Sequence, residues 1–182
     1  LNEAASSKRA VASMSAQTRG PTKSVVGAVH ASSVMLDKSG SVAKACRLIE
    51  DAASQNARLV VFPESFIPGF PLWNALRRPI DGHGMFRRFA ESSVRITDPE
   101  IQSIADTAAR HRIIVSLGFS ELSSHSVGCL WNSNILISER GEIINHHRKL
   151  VPTFYEKLSW NAGDGADLFV LRNGSGLDVL RR

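Results

Sequence analysis

Between residues 24 and 62 the chain alternates strand, helix and strand, and this order limits its fold more than any other feature. "SVVGAVHASS", residues 24–33, is a β-branched run and reads as a first strand. Residues 39–57 carry Val42, Ala45, Cys46, Ile49 and Ala53 at the spacing of one helix face, with Ser39 or Ser41 available as the N-cap. "RLVVF", 58–62, is a short apolar run stopped by Pro63 and reads as a buried, parallel strand. A strand–helix–strand order is the unit of layered α/β proteins, so the fold class is α/β.

The rest of the chain extends that reading. Residues 63–84 hold four prolines and three glycines and form a loop or a set of turns, long enough to be a functional segment. A helix is expected over 85–94. Another is expected over 98–111, with Asp98 at the N-cap, Pro99 at the first helical position, and an apolar stripe of Ile101, Ile104, Ala105 and Ala108. Residues 112–122 read as a strand. "LWNSNILISER" and "EIINHHRKL" read as a hairpin turning near Arg140-Gly141. Residues 167–171 read as one more strand.

The 182 residues are enough for a single domain with a real core, assigned here to 24–182. A hydrophobic fraction of 43% and a charged fraction of 21% are those of an ordinary soluble protein. No apolar run approaches the ~18 residues of a membrane span, so no membrane partner is expected. The net charge of +5 is scattered apart from pairs such as Arg77-Arg78 and Arg87-Arg88, which suits solvated surface rather than a nucleic-acid stripe. Cys46 and Cys129 lie in no CxxC or Cys/His cluster, so no structural metal is expected. Two cysteines in a chain of this length suit free thiols in a reducing compartment, hence the cytoplasm. Residues 1–23 open on Leu1, are rich in Ser, Ala, Lys and Arg, and cannot bury a core. They read either as a transit peptide or as translated sequence upstream of Met14.

Three residues could carry chemistry. Glu64 follows an apolar strand at the end where open α/β sheets bind ligands, though a solvated loop acid looks the same in sequence. Lys149 closes the last strand of the hairpin and could stabilise a developing oxyanion, or be an exposed strand-end cation. Glu156 could handle protons as a second carboxylate, or be a helix-start acid near Thr153 held by the helix dipole. His146 and His147 are neighbours on a strand and face opposite sides, which argues against a shared metal. Phe66, Phe70, Trp73 and Trp160 could line an aromatic-tolerant pocket or simply pack.

"RLVVFPESFIPGFP", "PIDGHGMFRRFAESSV" and "LWNSNILISERGEIINHHRKLVPTFYEKLSWNAGDG" occur in that order and together resemble the nitrilase branch of the carbon-nitrogen hydrolase family, over about residues 25–171. The HRKL-x-PT-x-x-E-x-x-x-W pattern followed by Gly-Asp-Gly is closer to nitrilases and cyanide hydratases than to amidase branches. The resemblance implies an αββα sandwich and a Glu-Lys-Cys triad with a second glutamate nearby. Glu64 then matches the catalytic base, Lys149 the lysine that stabilises the tetrahedral intermediate, and Glu156 the second glutamate. Pro152-Thr153 would break the strand after Lys149 and return Glu156 to the same pocket. The implied substrate is a small-molecule nitrile, with no cofactor, and the implied assembly is a homo-oligomer.

The same resemblance places the nucleophilic cysteine, in a G-x-x-C-W-E stretch, a short way past the Gly163-Asp164-Gly165 turn. "RNGSGLDVLRR", 172–182, departs from that pattern and holds no cysteine. Cys129 precedes a different strand, and Cys46 lies on the apolar face of a helix, where a thiol is commonly a small core hydrophobe. Two expectations follow. Either the sandwich is incomplete at its C-terminus here and the cysteine lies beyond Arg182, or the chain is a non-catalytic nitrilase-like protein that serves as a binding or oligomerisation partner or is an inactive remnant.

Overall fold

A computed structural model describes residues 24–166, 171–172 and 178–179. Its centre is a five-stranded sheet of β1 (Val25–Ala28), β2 (Ala57–Val61), β3 (Ile114–Leu122), β4 (Leu130–Ile137) and β5 (Ile143–Arg148), in that spatial order. β1, β2 and β3 run parallel, and β3, β4 and β5 are antiparallel. Helices α1 (Lys38–Ser54) and α4 (Pro99–His111) make the two parallel crossovers. Such connections need a dozen or more residues, which the helices supply. A separate pair, β6 (Leu171–Arg172) and β7 (Asp178–Val179), is antiparallel. Most of the strand expected over 167–171 lies outside the described residues.

Both long helices cover the same face of the sheet. Ala45 and Ile49 of α1 and Ile101, Ile104 and Ala108 of α4 pack with Val60, Val115, Leu117, Phe119, Ile135 and Ile137 in one buried cluster. Period-2 alternation leaves the other face to different residues: Leu59 and Val61 on β2, then Ser116, Gly118 and Ser120 on β3. β2 is therefore not buried on both sides as its apolar run suggested. Val61 is 38% exposed, because helices lie over one face only. The described residues make one helix-backed sheet of the expected sandwich.

Local chemistry explains the boundaries. The N-cap of α1 is Asp37, not Ser39 or Ser41: its Oδ1 accepts from the Gly40 amide at 2.9 Å. Ser41 is fully buried and instead ties down the incoming loop, accepting from Val34 N at 3.1 Å and donating to Val34 O at 2.9 Å. The helix ends earlier than its pattern implied because Asn56 adopts a left-handed conformation (φ 62°) that turns the chain into β2. Asp98 caps α4 by position, with Pro99 behind it, but its carboxylate accepts from Arg95 N at 2.9 Å rather than from the helix.

The Pro- and Gly-rich stretch after β2 contains the single-turn α2 (Trp73–Leu76) and a 3-10 turn at Pro79–Asp81 before α3 (His83–Ser92). β3 outruns β2, and its free edge is bridged by Ile67 opposite Phe119 and by Val94 opposite Glu121. A second apolar cluster of Trp73, Phe89, Ala90, Leu122, Leu130 and Trp160 holds this segment down. The four aromatics singled out in sequence all make packing contacts. Phe66 is buried against Phe62 with ring centroids 4.9 Å apart, Phe70 meets Trp160 at 5.5 Å, and Trp73 meets Phe89 at 5.3 Å, all edge-to-face.

Candidate active site

Glu64, Lys149 and Glu156 come together on the sheet face that the helices leave open. Glu64 leaves the carboxyl end of β2 on a sharp turn, with Ser65 at φ 49°. The turn lies directly on β3: a Cβ at Gly118 would stand 2.5 Å from Pro63 O and 2.8 Å from Ser65 N. Glycine is thus required for the acid-bearing turn to approach the strand. Lys149 follows β5 and is fixed by two main-chain bonds, its amide donating to Asn132 O at 2.8 Å and its carbonyl accepting from Gly163 N at 2.9 Å. Pro152-Thr153 then ends the extended run, and Phe154–Leu158 forms a 3-10 turn with a capping box at Thr153 and Glu156.

The ammonium of Lys149 lies between two carboxylates. Its Nζ donates to Glu64 Oε1 at 2.9 Å and to Glu156 Oε2 at 2.8 Å. Glu64 Oε1 also accepts from Asn132 Nδ2 at 2.6 Å, and Glu156 Oε2 from Thr153 N at 2.8 Å. Among the described residues, Glu64 Oε2 carries no such bond and Glu64 is half-exposed, while Glu156 is buried. Partial burial alone would lower the lysine's pKa. The hydrogen bonds from Glu156 and Glu64 outweigh it and hold the pKa above its usual 10.5, so Lys149 is a fixed cation at neutral pH. Both readings of Glu156 hold at once, since the carboxylate that closes the helical turn also grips the lysine.

A shallow cavity of about 280 Å³ opens at this triad, lined by Glu64, Gly118, Asn132, Asn134, His147 and Lys149 among others. The strand register separates the two histidines as expected. His147 pairs with Asn134 and faces the cavity, whereas His146 pairs with Ile135 and faces the helical side. Among the described residues no cluster of His, Cys, Asp or Glu could hold a metal ion. Neither cysteine lines the cavity: Cys46 Sγ contacts Ser103 O and Cys129 Sγ accepts from Asn161 Nδ2. No described helix is long and apolar enough to cross a membrane.

Sequence reading missed two supporting groups. Asn132 is an ordinary residue of an alternating strand until β4 aligns it with Ser120 and points it at Glu64. The second group lies on the helical face beneath the site. Glu121, 4% exposed at its side chain, accepts from Arg148 Nη2 at 2.6 Å, Arg148 Nε at 3.1 Å and Ser133 Oγ at 2.6 Å, and its Oε2 lies 2.7 Å from His146 Nε2. The Arg148 guanidinium also stacks 3.8 Å over Trp131. Burial pushes the Glu121 carboxyl up, but His146, Arg148 and Ser133 together pull it down to about 2. This buried pair anchors the residue immediately before Lys149. Gly118 was the one signal available in sequence, since a glycine inside a strand pattern marks a close backbone approach.

Comparison with known proteins gives the family. The carbon-nitrogen hydrolase family model matches residues 25–177. An arylacetonitrilase of Macrophomina phaseolina is 42% identical over 144 residues, covering 79% of this chain and 40% of that protein. A nitrilase of Paraburkholderia phymatum is 33% identical over 135 residues, covering 74% and 39% respectively. The chain thus spans about 40% of the length of these curated relatives. Among solved structures, Saccharomyces cerevisiae Nit3, a member of branch 10 of the nitrilase superfamily, superposes with a TM-score of 0.61 at 24% identity, over 80% of this chain and 50% of that one. A family-model match over nearly the whole described chain, with nitrilase and arylacetonitrilase relatives at 33% and 42% identity, places the protein in the nitrilase branch of the carbon-nitrogen hydrolase family.

Proposed function

We propose that this chain carries the base and the oxyanion-stabilising half of a nitrile-hydrolysing site, with a thiol nucleophile contributed from sequence beyond Arg182. The observation that carries the reading is Lys149 Nζ held between Glu64 Oε1 and Glu156 Oε2 beside an open cavity. In this scheme the free Oε2 of Glu64 takes the thiol proton, and the thiolate adds to the nitrile carbon. The nitrile nitrogen takes that proton from Glu64, which restores the carboxylate and gives a thioimidate. Water, deprotonated by Glu64, adds to the same carbon. Nitrogen takes the proton back from Glu64 and a second one from the new hydroxyl, ammonia leaves as the thioester carbonyl forms, and a second water cleaves the thioester to a carboxylic acid and the free thiol. Lys149 offsets the negative charge that develops at each addition, with Glu156 and Thr153 N keeping it in place. The names of the relatives support an arylacetonitrile as substrate. A cytoplasmic homo-oligomer is part of the same reading.

The test is ammonia release from phenylacetonitrile. A parent protein that includes the cysteine-bearing segment should turn over. Its Glu64→Gln and Lys149→Met variants should fall by at least ~100-fold in kcat, the cost of removing one transition-state partner. The 182-residue chain alone should release none. Activity in that chain, or variants within tenfold of the parent, would overturn the assignment.

A further inference from the structure

A second cavity, of about 240 Å³, lies away from the triad and shares no residue with the cavity there. It sits among α2, the Pro79–Asp81 turn, α3 and the turn that carries Glu156. One wall is apolar, made by Trp73, Pro79, Phe86 and Leu158. The remaining lining includes three basic side chains, Arg77, Arg78 and His83. Arg78 is neutralised by Asp81, its Nε 2.7 Å from Oδ2. Arg77 has no carboxylate within ion-pair distance among the described residues. Trp73 is 7% exposed, and its indole N–H is buried without a hydrogen-bond partner. The ring's Cδ1 lies 3.9 Å from where a Gly82 side chain would begin, so the indole packs beside Gly82.

We propose that this cavity binds a small carboxylate bearing one aromatic ring. The guanidinium of Arg77, with no carboxylate beside it among the described residues, selects an anion. The apolar wall takes the ring. A nitrile or amide of the same shape supplies no charge and binds weakly, so the site discriminates acids from their neutral precursors. It also adjoins the site turn, since Asn74 Nδ2 donates to Ser159 Oγ at 2.8 Å and Leu158 lines the cavity.

The test is direct binding to the 182-residue chain by intrinsic tryptophan fluorescence and calorimetry, with phenylacetate against phenylacetamide as the neutral isostere. Phenylacetate should saturate and bind at least tenfold more tightly than phenylacetamide. Arg77→Gln should weaken phenylacetate at least tenfold and leave phenylacetamide within twofold. Gly82→Leu, which fills the cavity while keeping its charges, should abolish both. The two variants act independently, so a folding defect in one leaves the other informative. No saturable binding to the parent chain, equal affinity for acid and amide, or an unchanged affinity in either folded variant would overturn the proposal. Because catalysis is not measured, failure here leaves the nitrile-hydrolysis reading standing, and failure of that reading leaves this one.

Discussion

Glu121→Gln is the sharpest perturbation of the scaffold beneath the site. The carboxylate is nearly inaccessible and accepts from Arg148 through two nitrogens and from Ser133, with His146 on the same oxygen. Glutamine keeps the shape but loses the charge, leaving Arg148 partly buried without its anion. The carboxyl titrates at about 2 in the fold against 4.5 ordinarily, a difference equivalent to about 3 kcal/mol at pH 7. A depressed folded pKa contributes stability that is fully present above 4.5 and is lost as pH falls through 2. The wild-type advantage over Glu121→Gln should therefore be about 3 kcal/mol at pH 7 and about 1 kcal/mol at pH 3. Urea denaturation of both proteins, followed by tryptophan fluorescence at the two pH values, measures it. A difference below about 1 kcal/mol at pH 7, or one that does not shrink at pH 3, would show that Arg148 is satisfied without Glu121 and that the anchoring argument is wrong.

Lys149 behaves in the opposite sense. With its folded pKa above 10.5, its contribution is complete below 10.5 and is lost as pH rises through the folded value, so wild type but not Lys149→Met should lose stability in that alkaline range, read by thermal melts across pH 9–12. Gly118→Ala should destabilise the fold by about 1–3 kcal/mol, because the new methyl meets the main chain at Pro63 and Ser65, and the same variant of the parent protein should lose activity. Thr153→Ala removes the reciprocal cap of the Glu156 turn and should cost about 1 kcal/mol in urea denaturation. If Glu156 stays ordered without it, the lysine alone holds that carboxylate.

The linear order of residues determined much of this protein. β-branched and apolar runs located the long strands and period-3.6 spacing the long helices, and Pro63 and Pro152 marked the points where strands stop and the site turns begin. The separated motifs around Glu64, Lys149 and Glu156 also identified the family. Details set by competing local bonds were less legible. Asp37 took the cap of α1 because its carboxylate reached the Gly40 amide, while Ser41 was drawn into the core by the Val34 backbone.

Tertiary structure alone decided which residues meet. Glu64 and Lys149 are 85 positions apart and are joined only because β2 and β5 end on the same side of one sheet. Asn132 reaches Glu64, and Arg148 reaches Glu121, through strand register, which sends alternate residues to opposite faces. A one-residue shift would exchange those two sets. Sequence carries the period of a strand but not the phase of its neighbours, and it is the phase, fixed by packing against α1 and α4 on one face, that assembles the site on the other.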